Sequence, residues 1–276
     1  MVRHLASVAV VGILFILMPR PASGQAAKFQ IEEATIENIQ AAILRGEVTS
    51  TRLVQLYLNR IKAYNGTCVN QPDGILGLGP ITPIKDARQL NALMTLNLRP
   101  AKREALEFDR RKARSMTDPV DNDPAMPDAL EVAAQLDAYF ASTGKLIGPL
   151  HGVVFSIKDQ YDTFDMRTTG GMDADYANDR PPDDATFVKR LREAGAIILA
   201  KANMGEMGTP NSRSSFGGPF CNPYDTTRTP GTSSGGSGSS VAANLVTCSI
   251  GEEPEDPYTI PRRTTTSSDW RLPRNW

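Results

Sequence analysis

Two stretches of the sequence carry residue types and spacing that can do chemistry. Lys158 closes the apolar run Val153-Val154-Phe155-Ser156-Ile157 and is followed by Asp159, and further on Gly231 to Ser240 reads G-T-S-S-G-G-S-G-S-S. A lysine whose stem starts in a buried strand is poorly solvated as an ammonium, so it can lose its proton near neutral pH and act as a general base. The same position also suits a lysine that extends its amine to water. The Gly/Ser run has three local readings: a flexible linker, a phosphate cradle, or a loop presenting hydroxyls and backbone amides at a helix start. Val241-Ala242-Ala243 follow it at once, unlike the polar flank of a linker, and the Gly-Lys-Ser/Thr of a Walker loop is missing. The third reading is therefore favoured.

Histidine chemistry is nearly closed to this chain. Of its two histidines, His4 lies in a leader-like segment and His151 stands alone between Leu150 and Gly152. A Ser-His-Asp triad would have to use His151, and a multi-histidine zinc site is excluded. His151 itself reads as a hydrogen-bonded loop residue.

The elements that must position these groups follow from periodicity. Thr35 to Arg45 has helical apolar spacing and stops at Gly46; a second helix starts near Thr49 or Ser50 with Leu53, Leu56, Tyr57 and Ile61 on one face. Pro, Gly, Asn and Asp accumulate from Asn70 to Pro83 and from Thr117 to Pro127, which predicts two loops, with a helical piece around Lys102 to Arg114 between them. Ala129 to Ser142 predicts another helix, ended by Gly144. Val153 to Ile157 reads as a buried strand, Asp184 to Glu193 as an amphipathic helix, and Ala196 to Ala200 as a second strand. Strand, helix, strand is the α/β pattern, and its ligands gather at the C-terminal ends of strands, where Lys158 lies. Val241 to Ile250 predicts a helix that begins inside the Gly/Ser run and turns toward a further strand.

Composition bounds the rest. The chain has 276 residues, 40% hydrophobic and 22% charged, with a formal net charge of -1. That suits one globular domain or two small ones, and it lacks the basic footprint of a nucleic-acid binder. Arg3 and His4 precede an uncharged apolar run from Leu5 to Met18, and Ala22-Ser23-Gly24 offers a cleavage site before Gln25. Residues 1–24 are therefore expected to be a secretory signal peptide, too short to span a membrane, with no membrane association after its removal. In an oxidising compartment Cys68, Cys221 and Cys248 allow one disulfide and leave one thiol over, with the pairing open. Asn65-Gly66-Thr67 fits the glycosylation sequon and supports the export expectation.

Three blocks in order, H-G-V-V-F-S-I-K-D at 151–159, P-P-D-D-A-T-F-V-K-R-L-R-E-A-G-A-I-I-L-A-K-A-N-M at 181–204 and G-T-S-S-G-G-S-G-S-S-V-A-A at 231–243, resemble the amidase signature family. The likeness starts near Glu33 and runs to Glu253, about half of a typical family domain. It implies an α/β/α sandwich with a mixed central sheet, here without its C-terminal half, so that sheet edges and apolar faces would be left uncovered and the chain would aggregate or be degraded. It also implies hydrolysis of carboxylic amide carbon–nitrogen bonds by a Ser-cisSer-Lys triad, with no cofactor or metal and a small-molecule amide as substrate. Carried over by motif, Lys158 is the base, Ser233 the bridging serine beside a non-proline cis peptide, and Ser234 a supporting hydrogen-bonding residue. Gly231, Gly235 and Gly236 would lend the backbone freedom.

The third member belongs to a family block written G-T-D-x-G-G-S-I-R-x-P-A, whose serine attacks the carbonyl while backbone amides hold the oxyanion. Laying its first glycine on Gly251 puts the nucleophile at slot 257, which is Pro257. Residues 254–276 are rich in Pro, Arg, Thr and Ser with little apolar periodicity, and are expected to be non-homologous to the domain at 25–253. Reading each codon's third base with the next codon's first two permits G-G-S-I-x-x-P-A-x-N-N-N-V-V-G-L from slot 255, which resembles the family's continuation. The slot after that isoleucine can hold only His or Tyr, where the family has Arg. A one-base slip or a misjudged exon boundary near codon 253, rather than a naturally evolved tail, is the expectation.

Three functions remain in view. The first is a secreted amidase, or its N-terminal part, inactive as written because slot 257 holds proline. The second is a non-catalytic amidase-like binding protein or a gene-model fragment, and the third a phosphate- or nucleotide-binding module resting on the Gly/Ser loop alone. The sequence specifies neither the oligomeric state nor the substrate.

Overall fold

The computed structural model describes residues 29–70, 81–115, 121–174 and 180–252; residues 1–24, expected to be a signal peptide, and residues 254–276, with Pro257, lie outside the described residues. Its first elements are the helices α1 (Ile36–Leu44) and α2 (Ser50–Tyr64). Thr35 and Asn38 exchange side-chain and backbone bonds at the start of α1, and Thr49 accepts from the Arg52 amide at the start of α2. Such caps satisfy amides that have no partner within the helix. Gly46 turns the chain between them with φ +69°, a conformation that disfavours side chains with a Cβ.

Two residues each form β1 (Val69–Asn70) and β2 (Thr82–Pro83), an antiparallel pair. There follow β3 (Leu93–Leu96), α3 (Pro100–Ala105) and α4 (Ala129–Thr143), the last with an Asp128–Glu131 capping box and Gly144 in the left-handed conformation at its end. Then come β4 (Val154–Lys158), α5 (Thr186–Glu193) and β5 (Ile197–Ala202). The antiparallel pair β6 (Arg213–Ser214) and β7 (Gly218–Pro219) precedes α6 (Gly235–Ala242) and β8 (Cys248–Ile250). The sequence-predicted helical piece at 102–114 is divided: α3 ends at Ala105, and a single 3-10 turn covers Arg110–Lys112.

The central sheet runs β3-β5-β4-β8, with β3 antiparallel to β5 and the other neighbours parallel, so it is mixed. One apolar cluster joins α1, α2 and α4 to Val154, Ile197 and Leu199 on one face of this sheet. A second joins Val188 of α5 to Val153, Phe155, Ile157 and Ile198 on the other. Helices on both faces make this the α/β layering that the repeated strand-helix pattern predicts. The pleat sends alternate side chains to opposite faces. On β4 it therefore commits Phe155 and Ile157 to one apolar layer and leaves Val154, Ser156 and Lys158 to the face beneath α6.

The cysteines resolve the open pairing: Cys68 is bonded to Cys221, with Cα atoms 6.3 Å apart, and Cys248 is free. The sequon expectation is corrected. Asn65 is 3% exposed; its amide nitrogen donates to Leu93 O at 2.7 Å and its oxygen accepts from Leu93 N at 2.9 Å, pinning the end of α2 to β3. The nitrogen that a glycan would need is enclosed and already used. Asn65→Ala is expected to take from the buried Leu93 N–H its side-chain acceptor, while Leu93 O keeps the Lys112 amine at 2.8 Å, and to cost about 1–3 kcal/mol, measured as a shift in the urea midpoint.

Candidate active site

Lys158 ends β4 with its side chain fully buried, and its Nζ lies 2.7 Å from Ser233 Oγ. Burial pushes the ammonium below the usual lysine range, and the Glu252 carboxylate beside it draws it part of the way back. The Thr232–Ser233 peptide is cis, and Ser233 is itself buried. Thus the lysine and the serine that the resemblance singled out meet within hydrogen-bond reach.

The serine is held in place by α6 and its neighbours. Gly205 N donates to Ser233 O at 2.9 Å. A Cβ on Gly236 would stand 2.1 Å from Asn203 O and 2.8 Å from Ala92 O, and one on Gly235 would stand 2.6 Å from the Phe220 ring. Both glycines are therefore demanded by close packing rather than by backbone freedom, since only Gly231, with φ +89°, uses a left-handed conformation here.

The hydroxyls of α6 are consumed locally. Ser237 donates to Ile250 O at 3.1 Å, Ser239 to Cys221 O at 3.1 Å and Ser240 to Ser237 O at 2.8 Å. Ser156 of β4 lies 3.2 Å from Ser240 Oγ and donates to Ser249 Oγ at 2.7 Å. This lattice of serines seals α6 onto β4 and β8, which neither a linker nor a phosphate cradle would require.

Ser234 precedes α6 and makes two reciprocal bonds, donating to Glu252 O at 2.9 Å and accepting from Glu252 N at 3.0 Å. Because β8 runs parallel to β4 with Ile250 opposite Ile157, the two strands end together and deliver Glu252 beside Lys158. Glu252 Oε2 accepts from Lys158 Nζ at 3.0 Å. Sequence reasoning missed this contact, which depends on strand register.

A second buried lysine lies close by. Lys201 Nζ donates to Tyr161 O at 2.7 Å and Thr168 Oγ1 at 2.8 Å, and stands 3.7 Å from Asp159 Oδ1. Asp159 Oδ2 accepts from Thr169 N at 3.0 Å, from Gly171 N at 3.2 Å and from the Thr169 hydroxyl. Burial pushes the Asp159 carboxyl up and the Lys201 ammonium down, each opposed by the other's charge. The pair ties the loop 167–171 to the base of Lys158. His151 lies at the other end of β4, where its Nδ1 accepts from Ile147 N at 3.1 Å, and burial holds its pKa below the usual histidine range. It is a loop residue away from Lys158, as its sequence setting predicts.

Comparison with known proteins gives a consistent result. A family model described as Amidase matches residues 104–254. The chain is 46% identical over 127 residues to a glutamyl-tRNA(Gln) amidotransferase subunit of Heliobacterium modesticaldum, covering 45% of this chain and 26% of that protein. It is 32% identical over 225 residues to the same-named subunit of Thioalkalivibrio sulfidiphilus, covering 81% of this chain and 35% of that protein. The fold superposes on a peptide amidase from Stenotrophomonas maltophilia with a TM-score of 0.56 and 31% identity, covering 78% of this chain and 35% of that one. The chain thus spans well under two thirds of the length of each relative.

Proposed function

The chain belongs to the amidase family, and from that premise we propose that it carries the lysine and bridging-serine part of a serine acyl-enzyme machinery for carboxylic amides. The observation that carries this reading is the 2.7 Å contact between Lys158 Nζ and Ser233 Oγ. With Lys158 neutral, its amine takes the Ser233 proton while Ser233 takes the proton of a nucleophilic serine, whose oxygen attacks the amide carbonyl. The proton then returns along the same path to the departing amine, and water releases the acyl group by the same route. Ser234 holds the segment that follows β8 against the bridging serine's loop.

Slot 257 holds Pro257, which has no hydroxyl, so we read the chain as inactive in its written frame. Purified chain is expected to leave small carboxamides unhydrolysed. The product of the frame shifted at codon 253 is expected to hydrolyse them without loss to chelators, and to fall by about 10²–10⁴-fold on Lys158→Ala. Turnover by the chain as written would overturn the inactive reading, and indifference of the shifted product to Lys158→Ala would overturn the role of the lysine. The Lys158–Glu252 ion pair favours a second reading, a non-catalytic amidase-like binding protein, which the same assay separates. An extracellular location is part of the proposal; the apolar leader and the Cys68–Cys221 bond support it.

A further inference from the structure

The Lys158 amine has two oxygen neighbours with different consequences for its chemistry. Ser233 offers a hydroxyl at 2.7 Å, the partner that a base needs, and Glu252 offers a carboxylate at 3.0 Å. A carboxylate in contact with an ammonium favours the charged form of both, and a charged lysine cannot accept a proton. This contact is built rather than incidental. The backbone of Glu252 is bound twice by Ser234, and Gly251 approaches Ser234 so closely that a Cβ there would stand 3.0 Å from Ser234 Cβ.

We infer that Glu252 is a counter-ion residue that holds Lys158 as an ammonium and thereby sets whether the Lys158–Ser233 pair can work as a base. The inference rests on the amidase reading of Lys158 but concerns a residue which that reading leaves without a role. The Glu252 side chain is 39% exposed while that of Lys158 is fully buried, so the carboxylate can swing to solvent, whereas the amine cannot follow it. Among the described residues the other groups near the pair do not replace Glu252. Asp159 turns its carboxylate to Lys201, Thr169 and Gly171, and Tyr161 contributes a phenol that burial and Glu252 keep neutral. The Glu252 carboxyl is in turn held below the usual carboxylate range by its bond to Lys158.

The test reads the lysine's proton directly and needs no turnover. In protein labelled with 13C at lysine Cε, the Lys158 signal, assigned by its loss in Lys158→Arg, is followed against pH in the wild type, Glu252→Gln and Glu252→Asp. Removing an opposite charge in contact is expected to lower the Lys158 midpoint by about 1–3 pH units in Glu252→Gln. Glu252→Asp, which keeps the charge, is expected to fall between the two. Equal midpoints in the wild type and Glu252→Gln would overturn the inference. Should Glu252→Gln not fold, the Glu252 carboxyl is titrated instead in the wild type and in Lys158→Met, and an unchanged carboxyl midpoint would overturn it equally. Failure of the amidase reading shows elsewhere, in the hydrolysis assay, and leaves this titration unaffected.

Discussion

Lys201→Met is expected to destabilise the chain by about 3–5 kcal/mol, because methionine fills much of the space but leaves the fully buried Asp159 without its cation. The loss should exceed that of an ordinary core substitution. Tyr161 O and Thr168 Oγ1 lose a charged donor at the same time, and they belong to the segment that packs beside Lys158. In the double variant Lys201→Met/Asp159→Ala the uncompensated charge is gone, so part of the loss should return. A urea-unfolding cycle of the four proteins measures this coupling directly. A single-variant loss below about 1 kcal/mol would place Asp159 in its neutral form in the folded chain and remove the basis of the prediction.

Opening the Cys68–Cys221 bond should have an effect of similar size. It closes a loop with a sequence separation of 153 residues, and removing such a link costs about 2–5 kcal/mol, chiefly through the added freedom of the unfolded chain. The effect should also reach the site, since Cys221 O accepts from Ser239 of α6 and Phe220 packs on Gly235. Adding reductant, or making Cys68→Ser with Cys221→Ser, should lower the midpoint of thermal unfolding. Cys248→Ser, at a half-buried thiol packed against the second apolar cluster, should lower it far less. A reductant effect that persists in the Cys68→Ser/Cys221→Ser protein would assign the loss to something other than this bond.

Legibility in the sequence varied with the physical origin of each element. The helices at 36–44, 50–64, 129–143 and 186–193 were readable because each shows an apolar stripe with a cap or stop residue at its ends. Strands β4 and β5 were readable as short apolar runs. Strand β3 was not, because Leu93-Met94-Thr95-Leu96 is buried at every position and so shows no alternation, and Leu and Met favour no strand. Its place as the antiparallel edge of the sheet depends on contact with β5, far along the chain.

The candidate site divides in the same way. Lys158 and Ser233 were found by motif, and the cis Thr232–Ser233 peptide accompanies them. Glu252 and Lys201 were missed, because one reaches the site through the parallel register of β4 and β8 and the other through a buried pair across two strands' ends. Asn65 shows the reverse failure: a three-residue pattern says nothing about burial, and burial decided its role.

The serine lattice of α6 has a practical consequence for anyone dividing this chain into pieces for expression. By composition alone, Gly231 to Ser240 is where a boundary would be drawn, since small polar residues ordinarily mark a hinge that can be cut or lengthened. Here a cut would part Lys158 from its serine and strip β8 of the helix that covers it. The stretch that looks most dispensable is the clasp of the domain, and fragments of this protein should begin or end elsewhere.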